Sequence, residues 1–274
     1  MTGCTIVQLT DLHVRPKGVP ANRVAETNML VSRALRAVER RRPAADVVII
    51  TGDLTECGFE QEYAVLRELL ALELHRPVYV IPGNHDRREV LLQCLPGTDS
   101  ADGFVQYAVD DLPVRIVMLD TVVPGAGHGE LCPLRLDWLD RTLAQLPDKP
   151  TLIGMHHPPF QCGIVHMDAI ALHHPERFAA VLARHPQVER VVCGHHHRPI
   201  TARIGTAIAS ICPSAAHQVE LDLSDDAPAN FVLEPPAYQI HRWRPETGIV
   251  SHTAFVERFP GPFPFLDHEG YPGR

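Results

Sequence analysis

The stretch Val47-Val48-Ile49-Ile50-Thr51-Gly52-Asp53 decides how this chain folds. Its first four residues are apolar and β-branched, which is typical of a strand buried on both faces. A glycine and a carboxylate follow this strand at once. In an open α/β sheet the carboxyl ends of the strands share one edge, where ligands bind. We therefore expect Asp53 to lie in a functional site at that edge.

Four other polar clusters follow apolar runs in the same way. They are Asp11-Leu12-His13, Gly83-Asn84-His85-Asp86, His156-His157-Pro158-Pro159 and Gly194-His195-His196-His197. Clusters at the ends of neighbouring strands converge, although they are distant in sequence. Asp, Asn and His side chains without Cys suit borderline divalent ions, whereas a structural zinc site is usually rich in thiolate. The pattern predicts one catalytic metal centre.

The order of the predicted elements indicates an α/β fold. Buried strands at 6–9, 47–50 and 78–81 alternate with helices at 22–42 and 60–72. Such alternation predicts parallel strands joined by crossover helices. Paired strands at 105–109 and 114–119, a helix at 133–146 and strands at 151–155 and 188–193 continue the pattern. After His197 only short strands are predicted, at 200–204, 219–223, 238–243 and 249–255, and they indicate an antiparallel part of the fold.

The chain is expected to form a catalytic domain at 1–258 and a C-terminal arm at 259–274. Its 274 residues, 45% of them hydrophobic, are enough for one large domain with a sizeable core. The arm is rich in Pro, Gly and Phe, and a solvated tail would not be expected to contain Phe263, Phe265 and Leu266. We expect it to pack on this chain or on another subunit, so that a homo-oligomer is an open possibility.

Charge and cysteine content limit the partners and the compartment. The formal net charge of -8 gives no general attraction to a nucleic-acid polymer or an anionic membrane. The seven cysteines are odd in number and form no C-x-x-C pair, which argues against a secreted disulfide framework. With neither a leader pattern nor a long apolar run in the sequence, we expect a soluble, cytoplasmic protein.

Each candidate ligand also has a simpler interpretation when it is considered alone. Asp11 is equally suited to a helix cap or a turn, and Asn84 to a left-handed turn after glycine. Many of the 17 histidines lie outside any motif. In the Gly194 to His197 cluster, however, residues two apart project to the same side. We therefore expect His195 and His197 to face a metal site and His196 to point away.

The five clusters together, in this order, resemble the motifs of the calcineurin-like metallophosphoesterases. The motifs are D-x-H, G-D, G-N-H-D, H-H-P-P and G-H-x-H. Within that family, the chain length and the Asn84-His85 pair resemble the class III cyclic nucleotide phosphodiesterases. Stretches 167–170 and 212–219 resemble the bacterial glycerophosphodiesterase branch of that class. The resemblance implies a four-layer αββα sandwich, in which two mixed sheets are flanked by helices.

The resemblance also implies two divalent ions, about 3.5–4 Å apart and bridged by a carboxylate. The bridge would be Asp53. One ion would be bound by Asp11, His13 and His197, and the other by Asn84, His156 and His195. Iron, manganese, zinc and cobalt all accept such ligands. His157 is expected to orient one of the ligands.

Three more residues are assigned through the resemblance. His85 would lie beside the substrate phosphate, where an imidazole protonates the leaving alkoxide or stabilises developing charge. The alternative is a structural histidine paired with Asp86. If His85 is catalytic, Asp86 would orient its ring. His217 is either a substrate contact or an ordinary loop residue.

The function implied is that of a binuclear, metal-dependent phosphoric diester hydrolase. Its substrates would be small phosphodiesters, namely 3′,5′-cyclic nucleotides such as cyclic AMP or glycerophosphodiesters, attacked by a metal-bound hydroxide. A nuclease, a phosphomonoesterase and a protein phosphatase are the alternatives within the family. The acidic charge balance disfavours a nuclease. A non-catalytic scaffold would be expected to have lost ligands, and all seven ligand positions are filled.

Overall fold

A computed structural model describes residues 3–266 of the chain. The strands, in chain order, are β1 (Cys4–Leu9), β2 (Val47–Thr51), β3 (Val78–Ile81), β4 (Tyr107–Val109), β5 (Arg115–Leu119), β6 (Gly129–Glu130), β7 (Thr151–Met155), β8 (Leu172–His173), β9 (Val188–Cys193), β10 (Ile200–Ile204), β11 (Ala207–Ile211), β12 (Gln218–Val219), β13 (Phe231–Val232), β14 (Ala237–Arg244) and β15 (Gly248–Phe255). The helices are α1 (Thr27–Glu39), α2 (Glu60–Glu73), α3 (Arg88–Cys94), α4 (Pro133–Ala144), α5 (Val165–Asp168) and α6 (Pro175–Leu182).

The first large sheet has the strand order β15-β14-β1-β2-β3. Strands β1, β2 and β3 are parallel, in a register that places Ile6 beside Val47 and Val48 beside Val78. This confirms the parallel βαβαβ start. β14 pairs antiparallel with β1, and β15 pairs antiparallel with β14, so the end of the chain completes the sheet that its beginning opens.

The second large sheet has the order β10-β11-β9-β7-β5-β4. Its four central strands β11, β9, β7 and β5 are parallel. The two edge strands β10 and β4 are antiparallel to their neighbours. The predicted pairing of the strands near 105–109 and 114–119 is thereby confirmed, as β4 and β5.

Helices cover the outer faces of both sheets. Val31 and Leu35 of α1 share one apolar cluster with Ile6 of β1, on the first sheet. Leu139 of α4 and Phe178 of α6 share another with the second sheet. Apolar burial on both faces of each sheet therefore gives the four-layer αββα arrangement that was expected.

The two sheets are joined by buried polar contacts as well as by apolar packing. Gln8 of β1 donates from Nε2 to the Thr51 hydroxyl at 2.8 Å and to the Cys193 carbonyl at 3.0 Å. The Nε2 atom of His241 lies 3.1 Å from the Oε1 atom of Gln8. The bond to the Cys193 carbonyl connects the first sheet to β9 of the second, whereas the other two lie within the first sheet.

Several element boundaries differ from the predictions. The helix predicted at 22–42 begins at Thr27, since Asn22 and Arg23 have φ of 48° and 63°, and it ends at Glu39. The strand predicted at 219–223 is only Gln218–Val219. Helices α3, α5 and α6 were not predicted. Pro175 at the first turn of α6 was an available signal for that helix.

The described part of the C-terminal arm is exposed. Phe263 and Phe265 are 77% and 88% exposed, whereas the ring of Phe259 lies 5.8 Å from that of Phe255. Residues 267–274 of the predicted arm lie outside the described range. Within that range all seven cysteines are free thiols. None of the described helices combines the length and the apolar character needed to cross a bilayer.

Candidate metal centre

The five polar clusters lie together at the carboxyl ends of β1, β2, β3, β7 and β9. Three of these strands belong to the first sheet and two to the second. Asp11 and His156 have no exposed surface, and Asp53 is 2% exposed. The topology thus places side chains from both sheets at one buried edge, as the sequence predicted.

The backbone at this edge is unusual. Nine non-glycine residues of the described chain have positive φ, and five of them are predicted ligands, namely Asp11, His13, Asp53, His195 and His197. Such conformations are uncommon outside glycine and cluster at functional sites. The chain turns sharply after each strand and thereby directs the side chain back towards the common centre.

A first group of donor atoms comes from Asp11, His13, Asp53 and His197, whose ligand atoms all lie within 4.8 Å of one another. The Nε2 atoms of His13 and His197 face each other at 3.2 Å. His197 Nε2 lies 3.4 Å from an Asp11 carboxylate oxygen. His13 Nε2 lies 3.7 Å from Asp53 Oδ2.

A second group forms around His156. Its Nε2 lies 3.1 Å from the amide oxygen of Asn84 and 3.4 Å from Asp53 Oδ2. The ring of His195 is 5.1 Å from that of His156, centroid to centroid. Asp53 therefore contacts a histidine of each group, and all seven predicted ligands are brought together.

Hydrogen bonds on the far side of three rings fix which nitrogen carries a lone pair. His197 Nδ1 donates to the His217 carbonyl at 2.8 Å, and His156 Nδ1 donates to the Thr51 carbonyl at 2.8 Å. His195 Nε2 donates to the Ile170 carbonyl at 3.0 Å. In the neutral form of each ring, the opposite nitrogen is then an acceptor.

These acceptors converge with carboxylate and amide oxygens. Buried acceptors facing one another repel unless a positive charge lies between them. Histidine ligands of metal ions have this same arrangement, with the second nitrogen donating to a carbonyl. The residues present therefore fit divalent cations at this site.

The electrostatics of the centre agree with cation binding. Burial alone would raise the pKa of Asp53, but His156, His85 and His13 outweigh it and hold that pKa well below the usual range. Burial, reinforced by His157, lowers the pKa of His195 well below its usual value. Asp53 is thus an anion and His195 a neutral imidazole, which are the forms that bind metal.

Glu56 is a site residue that the sequence analysis missed. Its Oε2 lies 2.7 Å from His13 Nδ1, on the side of the ring away from the centre. Its main-chain oxygen accepts a hydrogen bond from His85 Nδ1 at 2.8 Å. One residue thus orients two histidines. The only sequence signal was a carboxylate three positions after Asp53, which is too common to be used.

His85 lies at the entrance of the centre, partly exposed. Its main-chain N–H donates to Asp53 Oδ1 at 2.9 Å, and its ring is 4.8 Å from that of His13. Because Nδ1 is bound to the Glu56 carbonyl, Nε2 is the nitrogen left for other contacts. Burial would lower the pKa of His85, but Asp53 and Glu56 outweigh it and raise that pKa.

The expectation that Asp86 orients the ring of His85, or pairs with it, is wrong. Asp86 accepts hydrogen bonds from the main-chain N–H groups of Leu54 and Gly83, both at 2.9 Å, and from the Tyr63 hydroxyl at 2.8 Å. Its side chain points into the turn after β2, where both carboxylate oxygens accept hydrogen bonds. Asp86 therefore fixes the two ligand-bearing turns to each other.

His157 and His196 lie behind the ligands. His157 Nε2 donates to the Gly127 carbonyl at 3.1 Å, and its Nδ1 lies 2.8 Å from the Thr121 hydroxyl. Both ring nitrogens are engaged, and the ring contacts His195 at 4.6 Å. His157 therefore packs against His195, which is one of the predicted ligands. His196 Nε2 donates to the Met167 carbonyl at 3.2 Å, and the ring points away from the centre as predicted.

His217 lies against the first donor group. Its ring is 4.8 Å from that of His197 and 5.1 Å from that of His13. Burial, together with the charge of His197, lowers the pKa of His217 to about 2. A neutral imidazole can donate a hydrogen bond from one ring nitrogen and accept one at the other.

Comparisons with known proteins agree with this geometry. The profile of the calcineurin-like phosphoesterase family matches residues 4–199. A probable glycerophosphodiester phosphodiesterase GpdQ of Arcobacter nitrofigilis is 38% identical over 268 residues, which cover 97% of this chain and 98% of that protein. The 3′,5′-cyclic adenosine monophosphate phosphodiesterase CpdA of Pseudomonas aeruginosa is 30% identical over 253 residues, or 89% and 88% of the two chains.

Solved structures show the same fold at low sequence identity. A dimetal phosphatase from Danio rerio has a TM-score of 0.61 at 17% identity, and covers 93% of this chain and 99% of its own. The purple acid phosphatase PPD1 of yellow lupin seeds has a TM-score of 0.68 at 11% identity, and covers 93% of this chain and 52% of its own. The chain belongs to the calcineurin-like phosphoesterase family.

Proposed function

We propose that this hydrolase binds two divalent ions and cleaves small phosphodiesters, with glycerophosphodiesters and 3′,5′-cyclic nucleotides as its substrate classes. The observation that carries the proposal is the position of Asp53 between two groups of donor atoms, within 3.7 Å of His13 Nε2 and 3.4 Å of His156 Nε2. A shared carboxylate is the feature that holds two ions side by side. The printed names of the two relatives above supply the substrate classes.

In this proposal Asp11, His13 and His197 bind one ion, and Asn84, His156 and His195 bind the other. Bound there, divalent ions supply Lewis acidity, which activates water and neutralises charge on the phosphate. Iron, manganese, zinc and cobalt all suit the donors. An amide oxygen is a weaker ligand than a carboxylate, so the ion beside Asn84 is the one expected to exchange more readily.

His85 is proposed to act on the leaving group. The Glu56 carbonyl fixes its Nδ1–H, so that Nε2 faces the open side of the centre. The raised pKa favours the protonated form of the ring. A protonated Nε2 can donate to the departing alkoxide. His217, neutral and adjacent to His197, is proposed as a substrate contact.

Two further expectations are kept as proposals. The exposed aromatic side chains of the arm, Phe259, Phe263 and Phe265, favour a contact with a second copy of the chain. Size-exclusion chromatography of the chain with and without residues 259–274 tests this. Seven free cysteines favour a reducing compartment such as the cytoplasm.

Steady-state kinetics of the manganese-loaded protein test the function. We expect hydrolysis of glycerophosphoethanolamine, cyclic AMP and bis(p-nitrophenyl) phosphate, with kcat/KM for the aryl diester at least ~10-fold above that for p-nitrophenyl phosphate. Asp53→Asn is the inactive control, because it removes the shared charge. Absence of diester hydrolysis with every one of the four metals, or a preference for the monoester, would overturn the proposal.

A further inference from the structure

A third group of metal-ligating side chains lies behind the centre and uses none of the seven ligands. Sγ of Cys162, a carboxylate oxygen of Asp168 and a ring nitrogen of His196 lie within 4.8 Å of one another. Cys162 and Asp168 come from the loop that contains α5, and His196 comes from the turn after β9. The group therefore joins two segments that are distant in sequence.

His196 has the tautomer of a metal ligand. Its Nε2 donates to the Met167 carbonyl at 3.2 Å, which leaves the lone pair on Nδ1. The ring has no exposed surface, and its two nitrogens differ, because within residues 3–266 only Nε2 has a hydrogen-bond partner. Nδ1 is buried and has no hydrogen-bond partner among the described residues. A buried acceptor without a partner requires an explanation, and a bound cation would supply one.

The other two side chains are already in place for binding. Asp168 accepts hydrogen bonds from the main-chain N–H groups of Cys162 at 2.7 Å and Gly163 at 2.8 Å, which fix its carboxylate. Both Asp168 and Cys162 are half-buried, so an ion can reach them from solvent. Burial raises the pKa of the Cys162 thiol to about 11, with Asp168 adding to the effect. A divalent cation beside the sulfur would displace this proton to solvent.

We propose that Cys162, Asp168 and His196 bind a third, thiolate-ligated divalent cation of the zinc class. The three donors around a tetrahedral zinc lie about 3.3–3.8 Å apart, so the donors need to approach one another by at most about 1.5 Å to complete the site. Three protein ligands leave one position for water. The thiolate selects zinc or cobalt over magnesium, calcium or manganese. The proposed centre, in contrast, has only oxygen and imidazole donors.

The position of the ion indicates what it would do. The same loop supplies the Ile170 carbonyl that accepts from His195 Nε2 at 3.0 Å. It also supplies the Met167 carbonyl bonded to His196. An ion at the third site would clamp this loop against the turn that carries His195. Its role is therefore positional, and the reaction itself does not pass through it.

Cobalt substitution gives a spectroscopic signal that the proposed two-ion centre, which has no thiolate, cannot produce. A cobalt(II) ion bound by a thiolate shows a sulfur-to-metal charge-transfer band in the near ultraviolet, whereas imidazole and carboxylate ligands give none. The full-length protein is loaded with cobalt, and its spectrum is compared with those of Cys162→Ser, His196→Gln and the control Cys94→Ser. Cobalt and zinc per chain are measured by elemental analysis in the same samples.

We expect the band in the wild-type and Cys94→Ser proteins and its loss in Cys162→Ser and His196→Gln. Both of these variants should bind one ion fewer per chain. The absence of the band from the wild-type protein, or its persistence in Cys162→Ser, would overturn the third site. Activity on a diester, measured in parallel, keeps this outcome separate from the proposed function, which does not require the third ion.

Discussion

At the scale of single residues, Glu56 couples a predicted metal ligand to the predicted general acid. Its carboxylate holds His13, and its carbonyl holds His85. Burial tends to raise the pKa of Glu56, but the hydrogen bond and charge of His13 outweigh it and lower that pKa. A charged carboxylate behind a ligand imidazole increases its basicity and fixes its orientation.

Glu56→Ala is therefore expected to weaken metal binding at the His13 side while the His85 ring, held by the main chain, stays in place. The expected loss is ~10–100-fold in metal affinity or activity. Titration of manganese into the apoprotein, followed by activity, measures it. Glu60→Ala, at the exposed start of α2, is the matched control. An unchanged affinity in Glu56→Ala would show that the contact with His13 has no role in binding.

His85→Ala separates leaving-group protonation from metal binding. General acid help matters for a glycerol or ribose alkoxide and little for a nitrophenolate, which leaves without a proton. The variant should keep both ions and lose ~10²-fold or more on glycerophosphoethanolamine, with a much smaller loss on the aryl diester. Equal losses on the two substrates would exclude the general acid. Loss of an ion would instead make His85 part of the metal shell.

At the scale of elements, two glycines allow the strand ends to approach the centre. A Cβ atom added to Gly83 would lie 2.1 Å from Asp53 Oδ1, and one added to Gly194 would lie 2.1 Å from Thr10 Oγ1 and 2.9 Å from Asp11 Oδ2. Neither glycine has positive φ. Close approach, and not backbone conformation, is what excludes a side chain at these positions.

Gly194→Ala should therefore displace the turn that carries His195 and His197. We expect lower metal content and at least ~10-fold lower activity, because small misplacements of catalytic groups are costly. Gly127→Ala is the control, since its Cβ would meet Ile170 at 3.4 Å, an ordinary contact, and its φ is also not positive. Circular dichroism shows whether both variants fold. Equal metal content in the two folded variants would contradict the argument.

The elements also show how far the sequence could be interpreted. A strand followed by glycine and a predicted ligand, as at Gly52-Asp53, is a local pattern that can be recognised in the sequence. The shared edge of the sheet then brings the side chains of several such patterns together. Glu56 and Asp86 have no such pattern, because their partners are set by how two turns pack. The positive φ values of five predicted ligands likewise could not be predicted, because no glycine stands at those positions. Asp86 was misassigned because its partners depend on how the turns after β2 and β3 pack together.

At the scale of the whole molecule, the centre lies on the seam between the two sheets. Asp11 and Asp53 come from the first sheet, and His156 and His195 come from the second. The main-chain N–H of His195 also donates to both Asp11 oxygens, at 3.1 and 3.0 Å. Ions at this seam would cross-link the layers, so their effect on stability should be global.

Metal removal is therefore expected to lower the melting temperature of the whole domain. Ions that bind only the folded state stabilise it by RT ln(1 + [L]/Kd), about 2.7 kcal/mol for one site at 100 times Kd. For a chain of this size that corresponds to roughly 5–10 °C. Without the ions, the buried carboxylates and imidazoles at the seam lose the charges that balance them.

Differential scanning calorimetry of the chelator-treated protein, followed by addition of manganese, measures this shift. The transition should move as a single peak and recover with added metal, whereas Asp53→Asn should show a much smaller recovery. Potassium chloride at matched ionic strength controls for screening of surface charge. A melting temperature that is independent of manganese would mean that the seam is held by the sheets alone, through contacts such as Gln8 to the Cys193 carbonyl. The donor groups would then be preorganised by the protein and would not be assembled by the ions.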